Sequence, residues 1–151
     1  MLENKTPTWD TLQRRCYQGP GICALCCKDN ETIDHLFIHC GYSQAVWGES
    51  CRMLNCRAEW QGNGVMEAFQ KWWSDHLTAL NALPCIFAWG VWITRNKLIF
   101  QDKRTLIDIV AAQIVSVMDH FKLVNHPPQI RDIREEEIDQ VRPWGYFDWA
   151  S

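Results

Sequence analysis

The stretch CALCCKDNETIDHLFIHC, residues 23–40, holds four cysteines and two histidines. Four of these six side chains suffice for one zinc ion. Cys23 and Cys26 form a C-x2-C pair directly after the Gly19-Pro20-Gly21 break, where the chain can turn into a knuckle. His35 and Cys40 follow at H-x4-C. The set Cys23, Cys26, His35 and Cys40 is then Cys3His, a usual closed tetrahedral zinc site. Two other donors compete. Cys27 in place of Cys26 gives C-x3-C, a less common knuckle spacing. His39 in place of His35 is adjacent to Cys40, and adjacent ligands diverge unless the backbone bends sharply. The spacing therefore favours the first set. Four protein ligands leave no open coordination position, so such a zinc is structural. Zinc binding in small domains is worth on the order of 10–16 kcal/mol. That can stand in for a core where large apolar side chains are few, as they are ahead of residue 36.

The remaining chain sets limits. At 151 residues it has room for one domain, or one with a small satellite. Hydrophobic residues make up 47%, enough for a core, and the nine tryptophans imply that most are buried. Net charge is −3, with six basic and seven acidic side chains in 1–60 and six and five in 61–125. No segment is strongly basic, which disfavours nucleic-acid binding driven by bulk charge. Three thiolates on one zinc add about −1, unfavourable to phosphate unless nearby Arg and Lys offset it. The polar start MLENKTPTWDTLQRR has no secretory apolar core, so the eight cysteines read as reduced thiols of a cytoplasmic or nuclear chain that is not secreted. ALPCIFAWGVWI is too short to span a membrane. A soluble chain follows.

Helical periodicity dominates. Trp9, Leu12 and Cys16 mark a first helix over 7–18, with Thr8 as its cap. Residues 43–55 form a second, capped by Ser43, and 65–74 a third. A longer helix starts from Asn81 as cap, with Pro84 in its first turn. Cys85, Ala88, Trp89, Trp92, Asn96, Ile99 and Phe100 share one face of it. A last helix follows Thr105, with Leu106, Ile109, Val110, Gln113, Val117 and Phe121 on one face. The expected fold is mainly α: a small zinc-stapled N-terminal module followed by a helical bundle. Trp89, Trp92, Phe100, Ile109 and Phe121 are the expected core. The domain plan is 1–60 zinc-binding module, 61–125 helical region and 126–151 charged linker.

These residues together resemble a known family. Cys23-Ala24-Leu25-Cys26, then Glu31-Thr32-Ile33-Asp34-His35-Leu36-Phe37-Ile38-His39-Cys40, then Val46-Trp47 look like the zinc-binding domain of plant LINE-type (non-LTR) reverse transcriptases. The lead-in Thr8 to Arg15 resembles that family's T-x-D-x-L-x-x-R. Trp89 to Phe100 resembles its W-x-x-W-x-x-R-N-x-x-x-F helix. Pro143-Trp144-Gly145-Tyr146-Phe147-Asp148 resembles the first strand of the RNase H-like domain that often follows. The resemblance implies zinc on Cys23, Cys26, His35 and Cys40, and a module that helps engage nucleic acid. The chain departs from the family in lacking the polymerase carboxylates, and Trp149 stands where a glycine is expected after Asp148.

Other candidates read more plainly. Arg14 and Arg15 sit at a helix end, where they complement the dipole or reach phosphate. Trp89 and Trp92 read as core rather than as base-stacking groups, and Arg95 and Asn96 as hydrogen-bonding a neighbouring loop or helix end. Cys16, Cys51, Cys56 and Cys85 read as small buried hydrophobes. Glu135, Glu136 and Glu137 read as a solvated face. No catalytic role is expected. RNA or DNA is the expected weak partner; a protein partner is the alternative, with zinc only stabilising the fold. A basic stripe of Arg14, Arg15, Lys28, Arg52 and Arg57 would favour the first, and an exposed tryptophan patch the second.

Overall fold

The computed structural model describes residue 8 and residues 21–75 and 80–125. The described chain is mainly α. A knuckle with one antiparallel bridge between Ile22 and Asn30 leads into a π-helical turn, His35–His39. Four helices follow: α1 (Gly41–Met53), α2 (Val65–Asp75), α3 (Leu83–Gln101) and α4 (Ile107–Asn125). The expected helix over 7–18 lies outside the described residues except for Thr8, which is fully buried. Arg14, Arg15, Cys16, Glu135 to Glu137 and the 143–148 stretch lie outside them too.

The helix ends carry their own logic. α1 stops in a Schellman motif: the Cys56 N–H bonds to the Cys51 carbonyl at 3.0 Å and the Asn55 N–H to Arg52 at 3.2 Å. Asn55 takes the left-handed conformation (φ 51°) that this motif needs, and the apolar contact that goes with it is Cys51 against Cys56. Burial and the neighbouring Cys56 push the Cys51 thiol up to about 12, so it stays protonated and inert. α2 is capped from a distance: Asp34, 31 residues upstream, accepts the Val65 N–H at 2.8 Å. Two expected caps are not used. α1 begins at Gly41 with Cys40 in the cap position, which leaves Ser43 inside the helix and buried. α3 begins at Leu83 after Ala82, while Pro84 does occupy the first turn.

One hydrophobic core crosses from the knuckle to α4. At its centre Trp47 stacks on Trp60 at 5.5 Å and meets Trp72 and Phe87 edge-on at 5.4 and 5.1 Å. Two of these indole N–H groups find carbonyls: Trp47 bonds to Ala58 and Trp60 to Phe37, each at 2.9 Å. α4 packs on both α1 and α3. Gly90 sits at a close approach of α3 and α4, since a Cβ there would lie 2.9 Å from Ile114 Cγ1.

The face expected to form the core of α3 is instead its outer face. Trp89 is 54% exposed and Phe100 77%, and Cys85 and Ile99 are exposed too. The buried residues are Leu83, Pro84, Phe87, Val91, Thr94 and Arg95. On α4, Ile109 and Phe121 are likewise exposed, while Val110, Ala111, Ile114 and Met118 pack inward. Of the expected core group, Trp92 alone is partly buried. The tryptophans divide: Trp92 is half-buried, and Trp9, Trp144 and Trp149 lie outside the described residues. Trp47, Trp60 and Trp72 are buried, but Trp73 and Trp89 are exposed. Both long helices carry apolar residues on more than one face, so periodicity marks two stripes on each and cannot choose between them.

Candidate metal centre

Local hydrogen bonds build the knuckle. The Cys23 N–H bonds to the Asp29 carbonyl, the Cys27 N–H to Cys23, and the Glu31 N–H to Gly21, all at 2.8 Å. Cys27 turns the chain in the left-handed conformation (φ 57°). Its sulfur points outward, 3.5 Å from the Ala24 carbonyl and 3.9 Å from the Arg104 guanidinium. The Thr32 hydroxyl then accepts the His35 N–H at 2.9 Å. The π-helical turn closes with the Cys40 N–H on the His35 carbonyl at 2.7 Å. That wider turn lets His35 face the knuckle while Cys40 starts α1.

Cys23, Cys26, His35 and Cys40 converge, with one ligand atom from each lying within 4.8 Å of the others. The Cys23 and Cys40 sulfurs are 3.9 Å apart. The Cys26 sulfur lies 3.3 Å from His35 Nε2. Zn–S and Zn–N bonds of about 2.3 and 2.05 Å in a tetrahedron require edges of about 3.8 Å for S–S and about 3.6 Å for S–N. The two observed edges bracket that geometry, and the donors suit zinc. This is a Cys3His cluster capable of holding one structural Zn2+. Cys27 and His39 stand outside it; His39 Nε2 faces the Asn63 carbonyl at 3.5 Å.

The surroundings favour thiolate. Backbone amides of Leu25 and Cys26 face the Cys23 sulfur, and those of Tyr42 and Ser43, at the N-terminus of α1, face that of Cys40. The hydrogen bond from Cys23, with those amides, holds the Cys40 thiol below the usual cysteine range. The Cys23 thiol moves up in response, because it donates to Cys40 and is buried. Ser43 Oγ is buried with no partner of ordinary hydrogen-bond geometry, yet it lies beside the Cys40 sulfur and lowers its pKa. A metal-bound thiolate, a stronger acceptor than a thiol, supplies the partner that this hydroxyl lacks.

Side chains next to the four donors tie the cluster to every later helix but its own. Asp34 caps α2. The Tyr42 hydroxyl donates to the Thr105 carbonyl at 2.6 Å, just ahead of α4. Glu31 meets Arg95 of α3 in a buried ion pair of 2.5 Å. The expectation that Arg95 bonds a neighbouring loop holds, and Asn96 Oδ1 accepts from Arg95 Nη1 at 3.2 Å. Spacing had no means of finding Glu31 as the partner, 64 residues away. Ser43 and Tyr42 were equally invisible as neighbours of the site.

A family model described as zinc-binding in reverse transcriptase matches residues 1–47. No curated protein matches the chain, and no solved structure does. The matched stretch contains all four donors and ends on Trp47, the centre of the aromatic cluster. α2, α3 and α4 lie beyond it. Among the described residues no helix is long and apolar enough to cross a membrane.

Proposed function

We propose that the chain is a non-catalytic, zinc-stapled module derived from a LINE-type retrotransposon reverse transcriptase, with zinc held by Cys23, Cys26, His35 and Cys40. The observation that carries this reading is the convergence of those four donors, within 4.8 Å of one another, inside the stretch that matches the reverse-transcriptase zinc model. The division at about residue 60 is one of role, since one core crosses it. Residues 143–148 read as the beginning of an RNase H-like domain.

In this reading the module works by contact, and RNA or DNA is its weak ligand. Support comes from the exposed cations around the knuckle. Arg104 reaches Cys27, and Lys28 and Lys103 are its exposed sequence neighbours on either side of that contact. They offset the negative cluster, although Asp29 and Asp102 stand beside them. Arg52 is engaged by Glu49. A protein partner is the second reading, favoured by the exposed Trp89 and Phe100 of α3, Leu106 just ahead of α4, and Ile109 and Val117 of α4.

Metal analysis joined to a binding titration tests both. Purified protein should carry about one zinc per chain. Cys26→Ser and His35→Ala should lose it, while Cys27→Ser and His39→Ala keep it. The reverse pattern refutes the ligand assignment. Affinity for single-stranded RNA or DNA that falls with added salt supports the nucleic-acid reading. Salt-independent or undetectable binding to RNA, DNA and duplex refutes it.

A further inference from the structure

We propose that Glu31 and Arg95 are positioning residues of the metal centre, so that α3 sets how tightly the knuckle holds its ion. The proposal rests on the zinc reading above. Glu31 lies between Cys26 and His35 in the chain and is 2% exposed; Arg95, in the third quarter of α3, is 3% exposed. The guanidinium grips the carboxylate with two parallel bonds, Nη2 to Oε1 at 2.5 Å and Nε to Oε2 at 3.2 Å. Such a fork fixes direction as well as distance. Arg95 is itself held, by Asn96 Oδ1 and by the Trp92 ring, whose centroid is 5.2 Å from its central carbon.

Glu31 controls both arms of the knuckle. Its N–H is tied to Gly21, two residues before Cys23, so its backbone is anchored to the arm that delivers Cys23. The next residue, Thr32, accepts the His35 N–H and sets the start of the turn that delivers His35 and Cys40. Holding the Glu31 carboxylate on α3 therefore fixes the separation of the two arms as the chain folds around the metal. A metal site is rarely preformed in an unfolded chain, so whatever holds its donors in place raises affinity. The pair is neutral as a whole. Its influence is geometric, and outer-shell partners of this kind are worth about 10–100-fold in metal affinity.

The test uses Co2+ as a spectroscopic probe of the full chain, with Zn2+ affinity read by competition. Arg95→Lys keeps the charge and loses the fork. Glu31→Asp keeps the carboxylate and withdraws it by one methylene. Met118→Ala serves as a control, because Met118 is fully buried on α4 and has no part in the pair. Arg95→Lys and Glu31→Asp should each weaken Zn2+ binding by about 10-fold or more and shift the Co2+ ligand-field bands. Met118→Ala should lower the melting temperature while leaving the bands and the affinity within about twofold. If the pair variants weaken binding no more than Met118→Ala and leave the bands unchanged, the pair is a structural tie and the proposal is wrong. A wild-type chain that binds neither ion sinks the zinc reading itself, a result distinct from loss of coupling.

Discussion

Phe87→Ala and Trp89→Ala, made separately in the zinc-saturated protein, decide which face of α3 is the core. Phe87 is fully buried and meets Trp47 at 5.1 Å and Trp60 at 6.4 Å. Truncating a buried phenylalanine costs about 3–5 kcal/mol, from lost transfer energy and from the cavity left behind. Here the upper half of that range applies, because the cavity would open against two rigid indoles that cannot collapse into it. Trp89 is the larger side chain, yet 54% of it already faces solvent, and among the described residues no ring contact holds it. Its removal should cost about 1 kcal/mol or less. For a chain of this size, 1 kcal/mol shifts the melting temperature by roughly 2–4 °C. Phe87→Ala should therefore melt about 8–20 °C below wild type, and Trp89→Ala within about 4 °C of it. Thermal and urea unfolding followed by far-ultraviolet circular dichroism measure both. Equal losses, or a larger loss for Trp89→Ala, would mean that the outer face of α3 is packed and that the face assignment is wrong.

Tyr42 supplies a pH test. Burial raises its pKa above the ordinary phenol value. The folded state thus favours the neutral phenol, and that contribution is complete below about pH 10 and lost as pH rises through the folded value. Tyr42→Phe should remove this alkaline loss and cost about 1 kcal/mol at neutral pH, the worth of its bond to Thr105; identical alkaline stability profiles for variant and wild type would contradict it. Asp34→Ala removes the cap on the Val65 amide and should cost about 0.5–2 kcal/mol. Hydrogen exchange should show faster exchange in the first turn of α2, and unchanged protection there would refute the cap.

The sequence patterns placed the helices well and their faces badly. The C-x2-C and H-x4-C spacings bring together four donors because a metal site is local, closing within residues 23–40. Helix positions were readable for the same reason. α1 and α2 fall within a few residues of their expected spans, and Pro84 marks the start of α3. Burial is not local. On α3 the large Trp89, Trp92 and Phe100 outweigh Phe87 and Val91 in any periodic reading, yet the core chose the smaller set. That choice belongs to partners far along the chain: the Trp47 cluster, and Ile114 of α4, which comes close over Gly90. The Glu31–Arg95 pair was hidden likewise, since a carboxylate in a knuckle and an arginine in a helix carry no mark of each other.

In the reading proposed above, one zinc on Cys23, Cys26, His35 and Cys40 organises the helices as well as the knuckle, through Glu31, Asp34 and Tyr42. Chelator titration, with metal content and far-ultraviolet ellipticity read on the same samples, tests it most directly. About one zinc per chain should leave, and the helical signal and the cooperative melt should fall in step with it. Full helicity with an unchanged melt in protein shown to be metal-free, or no zinc in the protein as purified, would contradict the account.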